Sequence, residues 1–294
     1  MRDPQNQPER GPAGLDPPPL PVPRTAAGRA GLAALLADPG RSVIGLDFDG
    51  TLAPIVPDPA AARALPGAAA ALRRLSGQAG TLAVITGRPA LEAVEYAGLA
   101  DVPGIVVLGH YGRQRWSDGQ LTAPPPPAGL ALARQRLPEV LAAAGAPAGT
   151  RVEDKADALA VHTRQAANPA AALDRLRGPL AGLAAEAGLA LEPGRMVIEL
   201  RPPGADKGRA LRELAAARPT SATMFCGDDL GDRPAFAAVA QLRAEGIPGL
   251  AVCSGSAEVT GLADQADLVV DGPPGVVALL DGLATAFERP RPPT

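Results

Sequence analysis

The sequence predicts an α/β fold in which a parallel β-sheet is flanked by helices and carries an inserted α+β cap domain. From residue 42 onward, short apolar runs of β type alternate with Ala/Leu-rich stretches of helical type. This alternation is typical of a parallel sheet covered by helices. It returns from about residue 207 to the end of the chain, whereas the middle of the chain favours hairpins. The change in pattern indicates a separate unit inserted into one α/β core.

These patterns divide the chain into four segments with three boundaries. Residues 1–30 mix charge with proline and lack the apolar stretch of a secretory signal, so they are expected to form a disordered tail. Residues 31–113 and 198–294 are assigned to the core, and residues 114–197 are assigned to the cap.

The first half of the core has clear strand and helix signals. Proline at the first helical position and glycine after the last one are the usual helix boundaries. The predicted elements, in order, are a strand SVIGL at 42–46, a helix from Pro66 to Leu75, a strand TLAVIT at 81–86, a helix from Pro89 and a strand GIVVLG at 104–109.

The cap and the second half of the core follow the same rules. In the cap we expect a hairpin within 113–122, a helix after the proline tract 124–127, two strands around Asp157, a helix from Asn168 to Gly188, and strands LALEP and MVIELR, which make a βαββαβ order. In the core we expect a helix at about 207–217, strand ATMFC, a helix at about 234–241, strands LAVC and DLVV, and a closing helix after Gly275.

Composition excludes several functional classes. The 294 residues carry 28 Lys+Arg against 31 Asp+Glu, so no basic field exists to hold a nucleic-acid backbone. Apolar stretches end well before the ~20 residues that cross a bilayer, so no membrane span is predicted. Cys226 and Cys253 each end an apolar run and are interpreted as buried thiols. Thiols of this kind favour a reducing, cytoplasmic location.

The strongest local signal is a pair of acids directly behind the first predicted strand. Asp47 and Asp49 are separated by one residue, so their side chains share a side in extended backbone, and Gly50 lets the chain turn away. Ligands bind at this carboxyl edge of such sheets. Two carboxylates held together there need a cation such as Mg²⁺ or a shared proton. A solvated acidic turn is the alternative interpretation.

A second acidic group follows strand ATMFC. The segment Gly227–Asp232 carries Asp228, Asp229 and Asp232. If the two strands are neighbours, four or five carboxylates meet at one edge, and a hard divalent cation becomes the natural counter-charge. Taken alone, Gly-Asp-Asp is also common in turns and helix caps.

Two further segments are candidate phosphate-binding groups. Thr86 follows a strand and precedes Gly87 and Arg88 at a helix start, where the helix dipole favours an anion. Lys207 opens another helix and would add a point charge. The alternatives are a helix cap for Thr86 and a surface position for Lys207. The chain has no GxxxxGK[ST] segment, so a nucleotide P-loop is excluded.

In this order, DFDGT, a strand-terminal threonine, a lysine opening a helix and GDDxxD resemble the four motifs of the haloacid dehalogenase (HAD) superfamily of phosphohydrolases. The resemblance implies a Rossmann-like core in which Asp47 attacks phosphorus to form an aspartyl-phosphate and Asp49 is the general acid/base. It also implies that Thr86 and Lys207 bind the phosphoryl oxygens. The implied Mg²⁺ ligands are Asp47, the Asp49 carbonyl and Asp228, supported by Asp229 and Asp232.

Several longer segments resemble the trehalose-6-phosphate phosphatase family within that superfamily. They are DFDGTLAPI at 47–55, TGRP at 86–89, GHYG at 109–112, VEDKADALAVHTR at 152–164, ELRP at 199–202 and DKGRAL at 206–211. The resemblance implies Mg²⁺-dependent hydrolysis of trehalose 6-phosphate. The residues that it implies for substrate binding are Gly87 and Arg88 at the phosphate, Glu153 and Lys155 at the distal glucose, and His110 and Glu199 at the interface of core and cap.

The chain departs from that family at two places. Arg113-Gln114 stands where Ala-Glu is usual, and Gly231-Asp232-Arg233 stands where Thr-Asp-Glu is usual. Two alternatives therefore remain: a phosphatase for another sugar or glycosyl phosphate, and a catalytically silent protein that binds a sugar phosphate. The expected partner is a small sugar phosphate, with no nucleic acid and no membrane. Association with a trehalose-phosphate synthase is left open.

Overall fold

The protein is described here by a computed structural model that covers residues 20–194, 196–255 and 261–289. Most of the predicted tail, residues 1–19, lies outside the described residues. The described part forms two β-sheets, one of eight strands and one of four. None of its helices combines the length and apolar character required to cross a bilayer.

The strands in chain order are β1 (Ser42–Leu46), β2 (Thr81–Ile85), β3 (Val106–Gly109), β4 (Gln114–Ser117), β5 (Gln120–Thr122), β6 (Arg151–Asp154), β7 (Leu159–His162), β8 (Ala190–Gly194), β9 (Val197–Arg201), β10 (Ala222–Gly227), β11 (Gly249–Ser254) and β12 (Leu268–Val270). The helices are α1 (Ala26–Ala37), α2 (Ala68–Ser76), α3 (Ala90–Ala97), α4 (Ala128–Ala143), α5 (Pro169–Glu186), α6 (Lys207–Ala216), α7 (Arg233–Ala244) and α8 (Gly272–Glu288).

The eight-stranded sheet has the order β12-β11-β10-β1-β2-β3-β4-β5. Its first six strands are parallel to one another, and β4 and β5 are added antiparallel. All residues of β1, β2, β10 and β11 are buried, as expected for parallel strands that are covered on both faces. The predicted α/β class is confirmed. The order puts β1 between β2 and β10, so the carboxyl ends of these three strands are neighbours.

Three apolar clusters stabilise the fold. One face of the large sheet packs against α1, α2, α3 and α8, and the other packs against α6 and α7. The third cluster lies between the four-stranded sheet and the helices α4 and α5. Cys226 and Cys253 are buried free thiols in the strands β10 and β11. Each sheet therefore has its own core, which fits a unit inserted into an α/β core.

Three predicted boundaries differ in the structure. The hairpin β4–β5, which we assigned to the cap segment 114–197, pairs with β3 in the large sheet. Strand β9 lies mostly beyond residue 197, where we ended the cap, yet it pairs with β7 and β8 in the small sheet. The insert thus has the order αββαββ rather than βαββαβ. Helix α1 begins at Ala26, so the end of the predicted tail 1–30 is helical; Thr25 caps it by accepting from the Gly28 N–H. Local patterns predicted these strands, but their pairing partners depend on tertiary structure.

Candidate active site

Three polar side chains meet where β1, β2 and β10 end. Asp47, Thr86 and Asp228 each directly follow one of these strands, and all three are buried. The Asp47 N–H donates to the Cys226 carbonyl at 2.9 Å, so the pairing of β1 with β10 continues into the site. The strand order therefore brings together two acids that are 181 positions apart in the sequence.

The acids behind β1 and β10 form one cluster. One carboxylate oxygen from each of Asp47, Asp228 and Asp232 lies within 4.8 Å of the others, and all three residues are buried. Gly50 makes this approach possible. It has φ +75°, and a Cβ atom there would lie 2.0 Å from Asp228 Oδ2. A larger residue would strain the backbone and displace the acid, so the glycine is required by geometry.

Lys207 is the internal counter-charge of this cluster. Its Nζ atom lies 2.7 Å from Asp47 Oδ1 and 2.7 Å from Asp232 Oδ1, and the side chain is buried. Lys207 is the first residue of α6, and Asp206 caps that helix by accepting from the Arg209 N–H. A cation at a helix start is unfavourable by itself, so the two carboxylates are what hold it there.

Burial strongly perturbs these groups. It raises the pKa of Asp47 well above its usual range; Lys207 opposes the rise, and Asp232, Asp228 and Asp229 add to it. Burial and the neighbouring Asp232 and Asp229 raise the pKa of Asp228 to about 8. Burial alone would lower the pKa of Lys207, but the surrounding carboxylates outweigh it and raise that pKa. The lysine therefore remains charged, while the acids need more positive charge than it supplies.

The cluster fits a divalent cation. When all three carboxylates are ionised, one ammonium group leaves two negative charges unbalanced in a buried place, and carboxylate oxygens are the ligands of hard cations. Asp232 Oδ1 is bonded to Lys207, and its Oδ2 accepts the N–H groups of Asp228 and Asp229. Asp232 is thus occupied, so Asp47 and Asp228 are the residues with carboxylate oxygen to offer a metal.

Asp49 and Asp229, which we predicted beside the metal, point their carboxylates elsewhere. Asp49 forms a two-pronged ion pair with Arg88, with Nε to Oδ2 and Nη2 to Oδ1 both at 2.7 Å. Asp229 is exposed and caps the short helical turn at Leu230–Asp232 by accepting from the Gly231 N–H. The cluster within 4.8 Å contains neither side chain.

The raised pKa of Asp228 gives a testable pH dependence. Its folded-state pKa of about 8 lies above the usual 3.8, so the proton it holds stabilises the metal-free fold at low pH. This stabilisation is lost as the pH rises from about 4 through about 8. We expect the free energy of unfolding to fall less over this range in Asp228→Asn than in the wild type, measured by urea unfolding in chelator. If the free energy of unfolding changes with pH equally in the two proteins, the raised pKa of Asp228 is contradicted.

The loop after β2, Thr86–Arg88, is the segment that we predicted to bind phosphate, and we call it the phosphate loop. The buried Thr86 hydroxyl accepts the Arg88 N–H at 3.1 Å. The Arg88 guanidinium lies 5.3 Å from the centre of the Phe48 ring. This cation–π contact helps to hold the guanidinium beside Asp49. Thr86, Gly87 and Arg88 therefore lie together at the carboxyl edge, and Arg88 ties this loop to the loop after β1.

The small sheet brings a second group of charges toward this edge. Lys155 Nζ bonds Glu199 Oε1, and Glu199 Oε2 accepts from the Tyr111 hydroxyl at 2.8 Å. Glu153 pairs with His162 and not with Lys155: its Oε2 lies 2.8 Å from His162 Nε2. This bond to His162 lowers the pKa of Glu153.

His110 and the departures from the family pattern have distinct surroundings. His110 is buried, and burial lowers its pKa; its Nε2 has no hydrogen-bond partner among the described residues. Gln114 Oε1 accepts the Ala90 N–H and so caps α3. Arg113 Nε lies 3.6 Å from Asp157 Oδ2, which joins the core to the insert. Gln114 therefore has a structural role, and Arg113 faces an acid of the insert.

Sequence reasoning missed Tyr111, a residue of the site, and one signal that points to the site. Tyr111 lies within the GHYG segment, yet we assigned it no role. The signal is the scarcity of lysine. Of 28 basic residues only Lys155 and Lys207 are lysines, and both contact buried acids. Both histidines, His110 and His162, also lie in or beside the site. In a chain that otherwise uses arginine, this scarcity of lysine points to both positions.

The chain is similar to a known family along most of its length. A profile described as trehalose-phosphatase matches residues 45–268. The trehalose-phosphate phosphatase of Mycobacterium avium (strain 104) is 34% identical over 261 residues, which is 83% of this chain and 62% of that protein. The chain thus spans less than two thirds of the length of this relative.

Solved structures share the fold. A trehalose-6-phosphate phosphatase related protein matches with a TM-score of 0.64 and 25% identity over 83% of this chain and 97% of its own. The C-terminal domain of the C. albicans trehalose-6-phosphate phosphatase matches with a TM-score of 0.67 and 20% identity, over 90% of this chain and 99% of its own. At that identity the second match supports the fold alone.

Proposed function

The chain belongs to the trehalose-phosphatase family, and from this premise we propose that it hydrolyses trehalose 6-phosphate to trehalose and phosphate with Mg²⁺ as its cofactor. One observation carries the proposal: a buried Lys207 bridges Asp47 and Asp232 next to Asp228, at the end of three neighbouring strands. Such an arrangement costs free energy, and nucleophilic phosphoryl transfer is a reaction that uses it.

In the proposed reaction an Asp47 carboxylate oxygen attacks the phosphorus. The bond from phosphorus to the sugar oxygen breaks, and an aspartyl-phosphate forms. Asp49 gives its proton to the departing alkoxide, which leaves as trehalose. Asp49 then takes a proton from water, whose oxygen attacks the aspartyl-phosphate; phosphate leaves and the Asp47 carboxylate is restored. Lys207 stabilises the charge on the phosphoryl oxygens throughout.

Asp47 and Asp228, with the Asp49 carbonyl, would hold the Mg²⁺ ion. When bound, the cation supplies positive charge to the transferring phosphoryl group and keeps Asp47 ionised against the effect of burial. Asp232 would support the site without contacting the metal, because its oxygens are already bonded to Lys207 and to backbone N–H groups.

Arg88 would exchange partners when substrate binds. In the described structure it holds Asp49 through two hydrogen bonds, which keeps this carboxyl away from a leaving group. A phosphate monoester competes for the same guanidinium because arginine binds phosphate and carboxylate with the same planar fork. Release of Asp49 would then accompany substrate binding, with Thr86 and Gly87 contributing to the phosphate site.

The sugar would lie against the insert. Glu153, Lys155 and Glu199 would supply the donors and acceptors that sugar hydroxyls need, and His110 would line the interface of core and insert beside them. We keep the cytoplasm as the proposed location, because the two cysteines are buried free thiols.

A substrate panel tests this function. We expect purified protein with Mg²⁺ to release phosphate from trehalose 6-phosphate at least about 10-fold more efficiently than from glucose 6-phosphate, sucrose 6-phosphate or p-nitrophenyl phosphate. Chelator should abolish release, and added Mg²⁺ should restore it.

Two outcomes separate the alternatives. Efficient cleavage of another glycosyl phosphate, with none of trehalose 6-phosphate, would refute the proposed substrate but keep the phosphatase. Tight binding of sugar phosphates with no phosphate release at any Mg²⁺ concentration would indicate the catalytically silent protein.

A further inference from the structure

The turn that follows β3 has an unusual backbone. His110 has φ +46° and Tyr111 has φ +58°, so two consecutive residues with side chains lie in the left-handed region. This conformation costs free energy in any residue except glycine and persists where the surroundings impose it. Here the constraint comes from the phosphate loop: the His110 N–H donates to the Arg88 carbonyl and the Tyr111 N–H donates to the Thr86 carbonyl, both at 2.9 Å.

The Tyr111 side chain joins the core to the insert. Its hydroxyl lies so close to the phosphate loop that a Cβ atom at Gly87 would be 2.7 Å from it. The same hydroxyl donates to Glu199 Oε2 at 2.8 Å. On the insert side the Arg201 guanidinium lies 3.9 Å from the centre of the ring. One side chain thus touches the phosphate loop and two residues of β9.

Tyr111 also contacts the charged pair formed by Glu199 and Lys155. Glu199 is buried, and its other oxygen accepts from Lys155. Burial opposes ionisation of Glu199, but Lys155 and the hydrogen bonds outweigh it, so the pKa of Glu199 lies below its usual range. Burial and Glu199 together raise the pKa of Tyr111. The hydroxyl therefore keeps its proton, and the bond to the carboxylate is of the strong, charge-assisted kind.

We propose that Tyr111 is a positioning residue whose hydroxyl holds the Lys155–Glu199 pair at a set distance from the phosphate loop Thr86–Arg88. A glycosyl phosphate must then span a defined gap between its phosphate and its sugar hydroxyls. The inference rests on the proposed function, because it takes the Lys155–Glu199 pair as the sugar contact. It gives a role in substrate selection to Tyr111, a residue that would contact neither the phosphorus nor the leaving oxygen.

The test compares two substrates in Tyr111→Phe, which keeps the ring and its stacking with Arg201 but loses the hydroxyl. For trehalose 6-phosphate we expect kcat/KM to fall about 10-fold or more, mainly through KM, as for the loss of a hydrogen bond to a charged group. For p-nitrophenyl phosphate, which has no sugar, kcat/KM should change less than about twofold. Equal losses for both substrates would overturn the proposal.

A double-mutant cycle with Glu199→Gln tests whether Tyr111 acts on trehalose 6-phosphate hydrolysis through Glu199. If Tyr111 acts through Glu199, the double variant should lose little more trehalose 6-phosphate activity than the more impaired single variant. If the fold-losses of the two single variants multiply in the double variant, Tyr111 does not act through Glu199. Thermal unfolding checks that each variant folds. If Tyr111→Phe does not fold, Glu199→Gln alone carries the two-substrate comparison, because it weakens the same bond from the insert side.

The result separates this inference from the proposed substrate. If the wild type prefers another glycosyl phosphate, the proposed substrate fails, and the same cycle run with that compound decides the role of Tyr111. If the wild type cleaves p-nitrophenyl phosphate but no glycosyl phosphate, both proposals fail, since no ligand then spans the gap.

Discussion

Asp47→Asn is expected to lower turnover of trehalose 6-phosphate by more than about 10³-fold, because an amide cannot act as the nucleophile that opens the reaction. The substitution keeps the shape of the side chain and removes one of three crowded carboxylates. Substrate binding should therefore persist. Phosphate release measures the first effect, and isothermal titration of trehalose 6-phosphate into the variant measures the second.

The matched control for this variant is Asp174→Asn. Asp174 is an exposed residue of α5 that pairs with Arg177 at 3.5 Å, and its loss should leave turnover within about twofold of the wild type. Retained turnover in Asp47→Asn would remove the covalent mechanism. Loss of substrate binding together with turnover would instead indicate that Asp47 serves only to build the site.

Lys207→Met is expected to lower both activity and stability. Without the ammonium group, Asp47 and Asp232 lose a buried partner that lies 2.7 Å from each. Breaking a buried ion pair from one side costs about 3 kcal/mol. The phosphoryl group also loses a counter-charge, so we expect turnover to fall by more than about 10²-fold. Urea unfolding and phosphate release measure the two effects.

Arg209→Met provides the control from the same helix. Arg209 is exposed and pairs with Glu213, four residues along α6, at 2.7 Å. This substitution removes a positive charge at the same helix start without touching the acids, so stability should change far less than in Lys207→Met. Equal effects in the two variants would mean that Lys207 acts through the general field of the helix and not through Asp47 and Asp232.

Much of the candidate site could be predicted because its residues follow strand ends. Asp47, Thr86 and Asp228 each come directly after an apolar run, and parallel strands present their carboxyl ends at one edge of a sheet. Lys207 could be predicted by the same logic only as a helix start. Its bridging position between two acids depends on how α6 packs against the sheet, which no local pattern specifies.

The ion-pair partners of several charged side chains could not be predicted. Asp49 lies two residues from Asp47, yet its carboxylate binds Arg88 instead of the acid cluster. Glu153 and Lys155 lie two residues apart and have different partners, His162 and Glu199. In each case the sequence places two groups on one face, and long-range neighbours decide which ion pair forms.

The sequence by itself determined the alternation of strands and helices, the acids behind β1 and β10 and the presence of an inserted unit, because each depends on local propensity and periodicity. Only the tertiary structure decided that β4 and β5 belong to the large sheet, that Lys207 neutralises two acids, and that Tyr111 joins the phosphate loop to Glu199. These features depend on contacts between residues far apart in the chain, whose partners are chosen when the sheets pack and polar groups lose water.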